Sequence, residues 1–189
     1  MIRYALVVID MQPFFFRNET RKAALSNLFE KNNELLQFAH DNKIPIIKVK
    51  TVHNPDKSTW NLVMKKYDKG GLYEGDTNVE FYEEILKFPE EETIIKTRQS
   101  TFIRTNFEEL LNSLNIETLI LTGVFIHGCV GRTAVDAYER DFHVILAKEA
   151  SFSDIPLQEQ AMIDVITGEQ EQQVLTNNEI INVLSKELL

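Results

Sequence analysis

The sequence predicts an α/β fold built on a parallel β-sheet, and three observations predict it. Four apolar runs, at residues 5–9, 44–49, 118–121 and 142–147, are continuous rather than alternating, the pattern of strands covered on both faces. Segments of helical period separate them, so strands and helices alternate as in right-handed βαβ units. Asp10, Lys96 and Cys129 each stand at the carboxyl end of an apolar run. In open parallel sheets those ends line one edge, and ligands bind there.

The elements follow in order. Ala5-Leu6-Val7-Val8-Ile9 is the first strand and runs straight into Asp10. After Met11-Gln12-Pro13-Phe14-Phe15-Phe16 comes an amphipathic helix over residues 22–41, with Leu25, Leu28, Phe29, Leu35, Leu36 and Phe38 as core positions. The second strand covers 44–49. Residues 51–92 form a long connection with Gly70, Gly71, Gly75 and a short helix near 78–87. Such connections in compact domains are usually functional, so this one reads as a lid or an oligomer contact. The third strand, 93–95, ends at Lys96, and a helix at 106–114 precedes the fourth strand. A glycine-bounded turn then delivers Cys129 to the start of a helical pattern (Val130, Ala134, Ala137, Tyr138). A fifth strand at 142–147, a helix near 157–165, a short strand at 173–175 and a helix at 177–186 complete the chain. With no repeat, low-complexity tract or linker, residues 1–189 read as one domain.

Composition narrows the class. The 189 residues are 43% hydrophobic, enough to bury a full core without staples. A single cysteine allows no internal disulfide, so nothing argues for secretion. The apolar run before Asp10 is too short for a signal peptide or membrane span. The net charge of -9 lacks the basic stripe that nucleic acid would need. The expectation is a cytoplasmic enzyme acting on a small molecule, with no nucleic-acid or membrane partner.

A lone cysteine can be just a small buried hydrophobe; its placement argues otherwise. A thiol at a helix N-terminus faces unpaired N–H groups and the positive end of the helix dipole, and both favour the thiolate. Cys129 is therefore expected to titrate below a free thiol. If the three strands are neighbours, a carboxylate, an ammonium and a thiol converge in one crevice. Asp10 can accept the thiol proton while Lys96 compensates the charge that develops.

Three blocks carry a family resemblance: Ala5 through Gln12 with Phe14-Phe15-Phe16; Lys96-Thr97-Arg98-Gln99-Ser100-Thr101-Phe102; and Thr122-Gly123-Val124 through Gly128-Cys129-Val130, followed by Thr133-Ala134-Val135-Asp136-Ala137. On these the chain resembles the isochorismatase-like cysteine hydrolase superfamily, over most of its length. The resemblance implies a Rossmann-like three-layer α/β/α fold with a mostly parallel central sheet of about six strands. It also implies a homo-oligomer (dimer or tetramer) and a catalytic triad of Asp10, Lys96 and Cys129. It further implies a non-proline cis peptide at Val124–Phe125 and an oxyanion site made by the N–H groups of Cys129 and Phe125. The implied reaction is hydrolysis through a thioester on Cys129.

Departures from the subgroups narrow the reaction. Nicotinamidases of this superfamily hold a metal on an Asp-x-His pair plus a further histidine. Here the pair reads Thr51-Val52-His53, and no histidine lies between His53 and His127. A single imidazole makes a poor site, so no metal and no cofactor are expected. True isochorismatases cleave a vinyl ether without a thiol and carry glycine where this chain has Cys129. Residues 96–102 and 133–141 otherwise resemble them, so vinyl ether hydrolysis stays open beside the favoured amide or carbamoyl hydrolysis, as does an idle scaffold of the same fold. Carbamoylsarcosine and maleamate amidases carry arginine two places after the cysteine. This chain has Gly131 there and Arg132 next, so the resemblance supplies no contact for a substrate carboxylate.

The expected substrate-binding residues are Gln12, Phe15, His53, Trp60, Phe102 and Ile126. Phe14, Phe16 and Phe125 are further aromatics near the motifs, and an apolar wall needs two or three such rings. Arg98 and Arg104 either reach a carboxylate or pair with the Glu90-Glu91-Glu92 run. His127 satisfies turn backbone groups, and His40 and His143 read as surface positions.

Overall fold

A computed structural model describes residues 3–187 and shows a six-stranded, all-parallel sheet between two layers of helices. The strands are β1 (Tyr4–Ile9), β2 (Ile46–Thr51), β3 (Glu92–Lys96), β4 (Thr118–Val124), β5 (His143–Phe152) and β6 (Gln173–Leu175), in the order β3-β2-β1-β4-β5-β6. The helices are α1 (Glu19–Ala23), α2 (Leu25–Asp41), α3 (Leu62–Tyr67), α4 (Phe107–Ser113), α5 (Gly131–Tyr138), α6 (Pro156–Asp164) and α7 (Asn177–Glu187).

The continuous apolar runs follow from burial on both faces. Leu6 and Val8 of β1 pack with Leu28, Leu35 and Leu36 of α2 and with Ile180 and Leu184 of α7. Ala5, Val7 and Ile9 point the other way, toward Phe107 and Leu111 of α4 and Ala134 and Ala137 of α5. All six residues of β1 are buried, so alternation has no polar face to mark.

Two elements differ from the sequence expectation. The helix expected over residues 22–41 is broken at Ala24, where α1 ends and α2 begins. The helix expected near 78–87 is absent apart from one 3-10 turn, Thr77–Val79. The backbone there bonds to distant groups instead of to itself: the Tyr82 N–H donates to the Met11 carbonyl. The Leu86 N–H donates to Asn33 Oδ1, and Asn33 Nδ2 returns a bond to the Glu84 carbonyl. Ile85 packs into the cluster that holds Leu6 and Val8 of β1 and Leu28 and Leu36 of α2, and Val79 is also buried. Long-range pairing has replaced the helical ladder.

The strand order reverses between β1 and β4, and that reversal opens a crevice at the carboxyl ends. Gly123 lets the two strands approach there. It is the register partner of Ile9 and has φ +103°, and a Cβ on it would stand 2.0 Å from the Ile9 carbonyl oxygen. Only glycine fits.

Candidate active site

Four strand ends deliver the groups that meet in this crevice. Asp10 follows β1, Thr51 ends β2 and Lys96 ends β3. Cys129 lies in the turn Ile126–Val130, which leads from β4 into α5 and is kinked at Gly128. Asp10 has φ +56°, a left-handed conformation that aspartate tolerates better than most residues. Its N–H bonds to the Val49 carbonyl at 2.8 Å.

Lys96 is the hub. Its fully buried ammonium donates to Asp10 Oδ2 at 2.7 Å, to Thr51 Oγ1 at 2.7 Å, to the Arg98 carbonyl at 3.2 Å and to Cys129 Sγ at 3.3 Å. The Thr51 hydroxyl in turn donates to Asp10 Oδ1 at 2.8 Å. Both carboxylate oxygens of Asp10 are thereby engaged, as a buried charge requires. Sequence reasoning passed over Thr51, because a threonine at a strand end is ordinary until register sets it opposite Lys96.

The electrostatics correct one expectation. Burial pushes the Cys129 thiol up to about 12; Lys96 pulls it down and Asp10 pushes it further up. Desolvation and the carboxylate act against its position before the helix and push the thiol up rather than down. Burial opposes the Lys96 ammonium, but Asp10 and Cys129 outweigh it and raise its pKa. Losing the thiol proton to solvent leaves a net negative charge on a cluster whose Asp10 and Lys96 are buried. Passing it to Asp10 keeps the total charge constant, with the thiolate beside Lys96. The arrangement suits internal proton transfer rather than a resting thiolate.

The turn bearing Cys129 is clamped from two sides. Thr133 Oγ1 donates to the Cys129 carbonyl at 2.7 Å and accepts from the Thr101 N–H at 3.0 Å. Arg132 Nη1 donates to the His127 carbonyl at 2.8 Å. The Val124–Phe125 peptide is cis. The Phe125 N–H has no acceptor among the described residues.

The crevice widens into a cleft of about 1080 Å³. Of the expected binding residues, Phe15, His53 and Trp60 line it, with Phe125 and Cys129. Three do not. Gln12 is fully buried and clamps strand ends, its amide nitrogen donating to the Thr51 and Val79 carbonyls and its oxygen accepting from the Thr51 N–H. Phe102 packs on Phe107 and Phe142 in the core. Ile126 is buried in the same core, and Val124 in the core on the opposite face. These side chains neighbour the motifs in sequence but face the interior.

Burial, followed by the charge of Arg98, lowers the His53 pKa. His127 stacks on Phe125 and is also lowered, mainly by burial. Among the described residues no group of three or more His, Cys, Asp or Glu side chains could hold a metal ion. No described helix is long and apolar enough to cross a membrane.

A family model described as Isochorismatase domain matches residues 4–179. The phenazine biosynthesis protein PhzD of Pseudomonas fluorescens is 25% identical over 179 residues, 95% of this chain and 85% of that protein. The N-carbamoylsarcosine amidase of Arthrobacter sp is 41% identical over 66 residues, 35% of this chain and 25% of that protein. Among solved structures, an isochorismatase family protein from Desulfovibrio vulgaris superposes with a TM-score of 0.86 at 23% identity, covering 98% of this chain and 100% of the other, a likeness of fold.

Proposed function

The chain belongs to the isochorismatase family of hydrolases, and from that premise we propose that it hydrolyses a C–N bond, amide or carbamoyl, of a small molecule through a thioester on Cys129. The observation that carries the reading is the 3.3 Å contact between Cys129 Sγ and a Lys96 ammonium already bonded to Asp10. A vinyl ether hydrolase has no use for a thiol at that place.

The steps follow from the charges. As Sγ attacks the substrate carbonyl, the thiol proton passes to Asp10, and Lys96 steadies the sulfur. The carbonyl electrons move to oxygen, where the free Phe125 N–H, and that of Cys129 by family resemblance, stabilise the oxyanion. Collapse breaks the C–N bond, and Asp10 returns its proton to the leaving nitrogen. Water then gives a proton to Asp10 and attacks the thioester. The acid departs and Cys129 recovers its proton. Thr51 holds Asp10 and Lys96 in register throughout.

The test is incubation with a panel of small amides, carbamoyl compounds and isochorismate, reading intact mass for an acyl adduct on Cys129 and product release. An adduct lost in Cys129→Ala supports the reading. Turnover of isochorismate with no adduct replaces it with vinyl ether hydrolysis, and no turnover of any panel member favours an idle scaffold.

A further inference from the structure

The cleft has a charge opposite to the chain that holds it. The protein has 29 acidic and 20 basic residues, yet the cleft is lined by Arg17, Lys65, Lys69, Lys96, Arg98 and Arg104 and by no aspartate or glutamate. Lys96 is committed to Asp10, but the rest are not bound to acids. Among the described residues Arg17, Lys65, Lys69, Arg98 and Arg104 form no salt bridge. The acidic run Glu90-Glu91-Glu92 lies at the amino end of β3, away from the cleft, where Lys48 holds Glu91 and His40 holds Glu90.

Within this set Arg104 stands out. Its φ is +61°, in the left-handed region that an arginine seldom adopts. Its guanidinium makes no side-chain hydrogen bond among the described residues. Arg98 lines the same cleft, with Nη1 donating to the Thr59 and Thr97 carbonyls at 2.8 and 2.7 Å. Both arginines line the cleft, and burial, followed by the Arg104 charge, lowers the Arg98 pKa. Buried Trp60, on the same wall, has an indole Nε1–H with no acceptor. Cations that line one cleft without a counter-ion are stabilised by an anion bound among them.

We infer that Arg104, backed by Arg98, is a specificity-determining residue that binds an anionic group, a carboxylate, on the substrate whose carbonyl Cys129 attacks. The inference rests on the Cys129 reading for the location of the reacting carbonyl, but not for its test. The substrate class it names is a small monoamide or carbamoyl compound bearing a free carboxylate. The contact comes from the segment after β3, where the resemblance supplied none after Cys129.

The test uses two alkylating probes of nearly equal size, iodoacetate and iodoacetamide, on the intact protein. Each joins its CH2 carbon to Cys129 sulfur and releases iodide, so neither needs turnover. The ratio of their rates is normalised to the same ratio on the neutral thiol 2-mercaptoethanol. Wild type is expected to favour iodoacetate about tenfold at low ionic strength, with salt reducing the preference. Arg104→Gly, which suits the left-handed backbone, should abolish most of the preference, Arg104→Glu should invert it and Arg104→Lys should retain part. Where Cys129 resists both reagents, calorimetric binding of succinate against neutral succinamide reads the same preference. A normalised ratio near one in wild type, or a preference untouched by Arg104→Gly and Arg104→Glu, overturns the proposal. Either result leaves amide hydrolysis itself standing, and failure of the amide panel leaves the ratio standing.

Discussion

Thr51 and Lys96 are register partners on β2 and β3, and the Thr51 hydroxyl accepts from the Lys96 ammonium at 2.7 Å. That pairing makes Thr51 a positioning residue, since the same hydroxyl also holds Asp10. Thr51→Val keeps the volume and removes both bonds. Hydrogen bonds to charged groups contribute about 1.5–3 kcal/mol, so kcat should fall about 10- to 100-fold with KM little changed. Thr51→Ser should recover most of it. A valine variant with unchanged kcat would remove Thr51 from the site.

Cys129→Ala and Asp10→Asn separate the chemistries. A thioester route needs both groups, so both variants should lose nearly all turnover, because removing a nucleophile removes the route. Lys96→Ala should be comparably damaging, with Lys96→Arg a poor substitute, since a planar guanidinium does not replace a compact ammonium. An alanine variant that turns over well beside a dead asparagine variant would discard the amidohydrolase for vinyl ether chemistry.

The raised thiol pKa predicts an unusual alkylation profile. With Cys129 pushed up to about 12, direct ionisation cannot supply thiolate at neutral pH. Under the proposed mechanism, internal transfer to Asp10 supplies a fixed fraction instead. The iodoacetamide rate at Cys129 should therefore stay flat between about pH 6 and 9, where a free thiol of pKa about 8.5 gains tenfold per unit below its midpoint. A free-thiol curve in wild type would refute internal transfer.

Stability away from the cleft depends on a buried ion pair. Lys48 is completely buried and its ammonium lies 2.7 Å from Glu91 Oε2. Glu91→Ala strands that charge and should cost about 3–5 kcal/mol in chemical denaturation. Lys48→Met, which removes the charge itself, should cost far less. Burial lowers the Lys48 pKa against the opposing pull of Glu91, so the unfolded chain binds more protons there. The Lys48 contribution to stability therefore rises with pH between the lowered value and 10.5, and is least favourable below that window. Equal losses in the two variants would contradict this account.

Chelation should leave turnover unchanged. His53 Nδ1 is engaged by Thr59 Oγ1 at 3.2 Å, and Thr51, at the other end of the Thr51-Val52-His53 pair, is bound to Asp10 and Lys96. Activity lost to EDTA and restored by one transition metal ion per chain would overturn that reading.

The elements legible in the sequence were those governed by short-range pattern. The runs ending at Asp10 and Lys96 announce buried parallel strands, and the thiol beyond β4 follows from the same logic. What stayed hidden depended on register and distant partners. Thr51 acquires its contacts only when β2 and β3 align. Residues 78–87 have helical spacing, yet Asn33 and Met11 take their backbone groups. Gln12, Phe102 and Ile126 sit beside the motifs, but which way a side chain points is decided by packing. Arg98 and Arg104 follow β3 while Glu90-Glu91-Glu92 stand at its start, so the strand itself separates charges that sequence proximity would pair.

One part of the cleft wall comes from a stretch of chain separate from Asp10, Lys96 and Cys129. Asp10 follows β1, Lys96 ends β3 and Cys129 lies in the turn after β4, while His53, Trp60, Lys65 and Leu72 all belong to the single excursion between β2 and β3. This division makes the scaffold modular. Exchanging residues 53–72 would remodel that part of the wall while leaving in place the strand ends that carry Asp10, Lys96 and Cys129. Grafting a foreign excursion between the same two strands is the shortest evolutionary route to a new substrate, and it is equally open to the protein engineer.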